Sequence, residues 1–322
     1  MQLGNFLEEK VLRGQTISKE EAQALAGLQE ADLYSLFTAA ARIRDARAGK
    51  KVDLCSIINA KSGHCSENCK FCAQSAHYRT KAPVYDLLSQ EEILERARQM
   101  EQEGAQRFSL VLSGRGVQEQ DFERILDIYE LLARETNLQL CASLGIIDQA
   151  KAAQLKKAGV SMYHHNLETS ESYFPQICTT HGFQDRIETI KAVQSAGLDV
   201  CSGGIFAMGE SMEQRLEMAF TLRELGVKSV PINILNPIEG TPLAGQPLPH
   251  PMEILKTIAI YRFILPEAML RFAGGRERAL RHVEAMGYWA GINACLVGSY
   301  LTTSGRTVKE DLQTIEDMGL IV

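Results

Sequence analysis

The chain reads as a parallel (β/α)8 barrel. From Val52 onward short apolar strands alternate with amphipathic helices, eight strands can be counted, and glycine repeatedly stops a helix just ahead of the next strand. In such a barrel the chemistry is expected at the C-terminal ends of the strands. An open doubly wound sheet carries the same alternation, because periodicity does not report closure.

Residues 1–48 read as helices set before a barrel of residues 49–322. Ser18 followed by Glu21 is a capping-box spacing, and Ala31 to Arg47 is a second amphipathic run. Ser89 with Glu92 opens a helix carrying Ile93, Leu94, Ala97 and Met100 on one face, and Gly104 ends it before Phe108–Leu112. Ser211 with Gln214 and Thr307 with Glu310 repeat the box, and Gly159, Gly197 and Gly226 each precede a strand. The eight expected strands are Val52–Asn59, Phe108–Leu112, Leu138–Ser143, Ser161–Asn166, Leu198–Ser202, Lys228–Ile234, Met269–Ala273 and Asn293–Gly298. Pro237 to Pro251, with five prolines and two glycines, reads as a loop across the barrel mouth and a candidate cover, not as a linker.

Composition narrows the class. At 322 residues, 45% hydrophobic and 23% charged, the chain can bury a sizeable core. A net charge of −6 without a Lys/Arg cluster argues against nucleic acid as partner. No signal peptide and no run of about 18 apolar residues is present, so a cytoplasmic protein without a membrane partner is expected. In a reducing compartment its eight cysteines read as metal ligands or core residues, not disulfides. Cys178 and Cys295 lie in apolar stretches and read as packing.

Cys65, Cys69 and Cys72 stand apart. Their C-x3-C-x2-C spacing on a polar loop can turn three thiolates toward one metal centre. Structural zinc takes four ligands, whereas a cubane held by three cysteines leaves one iron open to a substrate. A zinc site completed by His64 or Cys55, or a non-enzymatic electron-transfer centre, is the competing reading of the motif. Polar residues at strand ends (among them Asn59, Ser143, Asn166, Asn233, Arg271 and Asn293) would be delivered to one rim, each singly compatible with a satisfied core group.

The cysteine spacing, with Phe71 before the third cysteine, resembles the signature of the radical S-adenosylmethionine (SAM) superfamily. The segments HNLETS, VCSGGI, SVPINIL, EGTPL, LRFAGGRE and YLTTSG, in that order from His165 to Gly305, resemble the biotin synthase family within it. A related radical SAM enzyme with another small-molecule substrate is the alternative. The resemblance implies a [4Fe-4S] cluster on Cys65, Cys69 and Cys72. It implies SAM held with Phe71, Asn166, Glu168 and Arg186, and dethiobiotin near Asn166, Asn233, Thr302 and Thr303. It also implies a homodimer and an electron donor such as flavodoxin or ferredoxin. His164 departs from the asparagine expected there, and Glu168 from an aspartate.

The resemblance further implies a [2Fe-2S] sulfur donor held deep in the barrel by three cysteines and an arginine. Cys141, Cys201 and Arg271 match three of those positions, but the fourth is Ser109, whose oxygen is a poor substitute for a soft thiolate. Cys55 stands on the first strand where a serine is expected, and strand parity puts it on one face with Ile57 and Asn59. One thiolate has changed strand. Three lumen cysteines favour an auxiliary four-iron cluster carrying an extra sulfide over [2Fe-2S], with Arg271 beside it as a charge partner.

Overall fold

A computed structural model describes residues 3–29, 31–303 and 305–322. Ser304, within one of the segments quoted above, lies outside the described residues. Three helices, α1 (Leu3–Leu12), α2 (Lys19–Ala26) and α3 (Ala31–Arg47), precede the first strand. They share one apolar core with the barrel: Leu7, Leu36, Phe37 and Ile43 are fully or almost fully buried. Polar contacts fasten them as well, with Lys256 Nζ donating to the Ala26 carbonyl at 2.8 Å and Arg223 to that of Ile17 at 2.9 Å.

The strands are β1 (Asp53–Lys61), β2 (Arg107–Leu112), β3 (Gln139–Ser143), β4 (Val160–His164), β5 (Asp199–Cys201), β6 (Gly204–Phe206), β7 (Ser229–Ile234), β8 (Met269–Phe272) and β9 (Ala294–Leu296). Every ladder between them is parallel, and the ladders β1 with β9 and β5 with β7 close the ring. The nine strands fill eight barrel positions, because β5 and β6 are one strand broken at Ser202 and Gly203. The barrel is closed, and the open sheet is excluded. Helices α4 (Gln90–Gln102), α5 (Glu119–Glu135), α6 (Gln149–Lys157), α7 (Phe183–Ser195), α8 (Met212–Glu224) and α9 (Pro251–Ile264) alternate with the strands; α10 (Arg276–Leu280), α11 (Met286–Trp289) and α12 (Val308–Asp317) complete the chain.

Local chemistry sets these boundaries. The four expected capping boxes form, at Ser18, Ser89, Ser211 and Thr307, each satisfying two backbone donors that a helix start leaves free. Gly104 and Gly159 take φ of 101° and 102°, left-handed backbone that ends a helix without a Cβ penalty.

Two expectations about placement need correction. Asn293 does not reach the rim: it sits just before β9, at the opposite end of the barrel. There its Oδ1 accepts from Arg262 Nη2 at 2.7 Å and from the Leu270 amide at 2.9 Å. Cys295 is not in apolar surroundings, since Arg276, fully buried and paired bidentately with Asp311, donates to its sulfur.

Candidate active site

The polar loop after β1 is folded by its own hydrogen bonds. The Cys65 amide donates to the Gln74 carbonyl (3.1 Å) and the Ala76 amide to that of Cys65 (2.8 Å), while Gln74 Oε1 accepts from Ser62 Oγ and the Gly63 amide. Cys65, Cys69 and Cys72 consequently face one cavity in the barrel mouth, of about 420 Å³, with Phe71 half-buried on its wall. Burial raises the Cys65 thiol and lifts that of Cys72 to about 11; Cys69 is raised by the neighbouring Cys178 thiol and by burial. Such thiols give up their protons to a metal centre, not to water. His64 is exposed at a φ of 51° and does not join them. Cys55 is six residues before the end of β1, roughly 20 Å away by strand rise. Neither expected completer of a zinc site is therefore at hand.

Asn166 and Glu168 stand beside the cysteines because the fifth strand is broken. Ser202 and Gly203 leave the ladder open, and the segment after β4 fills it: the Leu167 amide donates to Gly203 (2.9 Å) and the Ile205 amide to Glu168 (2.8 Å). Asn166 Oδ1 accepts from the Gly203 amide at 3.0 Å, and Nδ2 reaches Glu168 Oε2 at 3.3 Å. Glu168 holds φ at 69°, a strained value for a residue with a side chain and of the kind that gathers at functional sites. Arg186, from α7, is buried and donates to the Asn166 carbonyl at 2.7 Å. Its Nε has no hydrogen-bond partner among the described residues. A carboxylate ligand would meet a desolvated guanidinium there.

Asn233 and both threonines line the same cavity, although the Asn233 amide already donates to the Gly204 carbonyl (3.2 Å) and accepts from the Gly274 amide (3.1 Å). Thr302 and Thr303 are half-buried and line the cavity from the segment after β9. The Pro/Gly-rich loop reaches the cysteine loop: a Cβ on Gly240 would lie 2.0 Å from the Arg79 carbonyl oxygen, so only glycine fits that approach.

Deeper in the lumen the fold gathers Cys55, Cys141 and Cys201 with Arg271, Arg107 and His164. Hydrogen bonding with Cys141 and the Arg271 charge draw the Cys55 thiol down, while hydrogen bonding with Cys55 and burial push that of Cys141 up. Burial raises Cys201, whose sulfur lies 3.5 Å from His164 Nδ1 and 3.4 Å from Ser229 Oγ. Arg271 is fixed by Asp53, which also pairs with Arg107 at 2.9 Å. Ser109 Oγ is buried beside the thiols, with no hydrogen-bond partner among the described residues. Three soft donors, two guanidinium groups and an orphaned hydroxyl suit a sulfur-rich anionic cluster and not a hard cation.

The Cys178 expectation was wrong in kind. Its thiol lies against Asn68 Oδ1, Thr180 Oγ1 and His181 Nδ1 at 3.3–3.4 Å, in a polar cluster beside Cys69. The C-x2-H spacing of Cys178 and His181 was the sequence signal that marked it.

A closed parallel barrel with three cysteines at its mouth and an acid, an amide and an arginine beside them is the architecture of a radical SAM enzyme. Residues 61–234 match the radical SAM superfamily and residues 231–321 the Biotin and Thiamin Synthesis associated domain. The chain is 60% identical to the biotin synthase of Pelotomaculum thermopropionicum over 318 residues, 99% of each chain. It is 59% identical to that of Heliobacterium modesticaldum, over 98% of this chain and 97% of the relative. The chain belongs to the biotin synthase family. Among solved structures, methylornithine synthase (PylB) superposes with a TM-score of 0.83 at 21% identity over 98% of this chain and 96% of its own, a likeness of fold alone.

Proposed function

We propose that this chain converts dethiobiotin to biotin, consuming SAM to remove two hydrogens and drawing the inserted sulfur from an auxiliary iron–sulfur cluster in the lumen. The observation that carries this reading is one continuous cavity lined by two separate thiol triads, Cys65/Cys69/Cys72 at the mouth and Cys55/Cys141/Cys201 at depth.

A [4Fe-4S] cluster on the mouth triad would supply the electron that splits SAM, giving a radical able to take hydrogen from unactivated carbon; the deep triad would hold the sulfur source. The protein's part is to bind, orient and exclude water. Arg186 meets the SAM carboxylate, Glu168 accepts from its ribose hydroxyls, and Phe71 flanks it. Asn166, Asn233, Thr302 and Thr303 orient dethiobiotin, whose ureido group suits amide side chains and whose carboxylate suits hydroxyls. Arg271 balances negative charge at the deep triad. The loop 237–251 limits solvent entry while a carbon radical exists. In this reading residues 1–48 are a helical extension of the barrel, the assembly is a homodimer, the compartment is the cytoplasm, and the partner is a small one-electron donor such as flavodoxin or ferredoxin. Among the described residues no helix is long and apolar enough to cross a membrane.

Anaerobically purified protein, given SAM, a reductant and dethiobiotin, is expected to form 5'-deoxyadenosine and biotin and to rescue an auxotroph blocked at this last step. Iron-loaded protein that cleaves SAM yet forms no biotin would redirect the reading to another small-molecule substrate, and zinc in place of iron would end it.

A further inference from the structure

The segment 177–181 grips the cysteine loop more firmly than packing requires. The Lys70 amide donates to the Ile177 carbonyl at 3.0 Å, the Asn68 amide to Thr180 Oγ1 at 3.1 Å, and Asn68 Oδ1 accepts from the Thr179 amide at 2.9 Å. Glu67, between the first two cysteines, is buried and accepts from Thr180 Oγ1 at 2.7 Å and from the ring of His181. The other face of that ring meets the SAM site, with His181 Nε2 lying 2.9 Å from Arg186 Nη2.

The direction of these bonds follows from their partners. A guanidinium only donates, so Nε2 accepts, and the ring proton is left on Nδ1 to be donated to Glu67. The Phe174 ring supports both members, edge-on to His181 with centroids 5.6 Å apart and 5.4 Å from the Arg186 guanidinium carbon. A buried line of hydrogen bonds therefore runs from the cysteine loop through Glu67 and His181 to Arg186, and on to Asn166 and Glu168. Cys69, Cys178 and His181 do present donor atoms within 4.8 Å of one another. Both ring nitrogens are engaged, however, so a metal there would have to displace Glu67 or Arg186.

We infer that His181, oriented by Glu67, is a positioning residue that sets the Arg186 guanidinium for the SAM carboxylate and ties that setting to the folded cysteine loop. The inference rests on the reading of Arg186 as a SAM contact. Without His181, Arg186 keeps its charge but loses one of its three fixed directions, and the weakening should fall on SAM and not on dethiobiotin.

The test is the affinity for SAM and for dethiobiotin, by equilibrium dialysis on iron-loaded anaerobic protein, with iron content measured alongside. His181→Phe and His181→Asn, which remove or shorten the acceptor, are expected to weaken SAM about tenfold or more, as for loss of a hydrogen bond to a charged group. Iron content and dethiobiotin affinity should stay unchanged. His181→Gln, whose amide can accept from Arg186 and donate to Glu67, should restore SAM affinity to within about threefold. Unchanged SAM affinity in the Phe and Asn variants, a Gln variant no better than they are, or iron lost together with SAM would each overturn the inference. So would Co(II) binding to cluster-free wild-type protein with thiolate absorption that disappears in Cys178→Ala, since His181 would then be free to ligate. A wild-type protein that binds iron but no SAM would count against the proposed function instead.

Discussion

The carbonyl oxygen of Glu168 lies 2.5 Å from the place a Cβ on Gly204 would occupy. That contact puts the strained Glu168 backbone against the broken fifth strand, so glycine geometry positions the backbone that carries the acid and the amide two residues before it. Gly204→Ala is expected to force the two segments apart, costing about 1–3 kcal/mol of stability and weakening SAM far more than dethiobiotin. Urea unfolding and ligand dialysis on the same variant check it; wild-type SAM affinity would mean that the contact relaxes freely.

Iron counting separates the two thiol triads. A Cys65/Cys69/Cys72 triple alanine variant is expected to retain about four irons per chain with more sulfide than iron, held by Cys55, Cys141 and Cys201. A further Cys55→Ala change should remove most of them. About two irons in the triple variant would rule out the four-iron cluster, and four unchanged after the Cys55 substitution would show that Cys55 only packs.

Asp53 holds two arginines at once, the buried Arg271 and the half-buried Arg107. Against the penalty of its own burial, Arg271 and Arg107 keep its carboxyl below the usual range. Asp53→Asn leaves two guanidinium charges facing the lumen with no counterion, and a loss of about 3 kcal/mol in cluster-free protein is expected. Asp53→Glu should recover less than half of it, because the extra methylene displaces Arg271.

Stability should fall on the acid side of neutrality. Burial, with Arg186 next, holds His165 well below the ordinary histidine range, and burial lowers His164 as well. Unfolded histidine takes a proton near pH 6.5, which the folded chain refuses, so the unfolded state binds more protons below that pH. The contribution is complete above about pH 6.5 and is lost as pH falls from there toward the depressed folded values. The lowered Asp53 adds a loss of the same sign at lower pH. Urea midpoints of cluster-free protein between pH 8 and 5 measure it. A flat profile from pH 7 to 5 would contradict a buried, neutral His165.

Much of this was legible in the chain itself. Ser18, Ser89, Ser211 and Thr307 cap where their spacing said they would, because a capping box involves only neighbours three residues apart. Every expected strand lies within a few residues of an observed one, and the cysteine loop announced itself by spacing. Ser202 and Gly203 were visible as residues but not as a strand break, since a missing ladder bond depends on the segment that replaces it.

What the sequence by itself determined is local: where helices begin and end, which stretches alternate, and which thiols share one loop. Only the tertiary structure decided that the sheet closes, that Asn293 faces the wrong end, that Cys55 meets Cys141 and Cys201 across the lumen, and that Cys178 stands beside Cys69. The division has one physical cause. Capping and periodicity are set by interactions a few residues apart, whereas parallel strand pairing joins residues far apart in sequence, and only the closed ring of those pairings fixes which side chains point at one another.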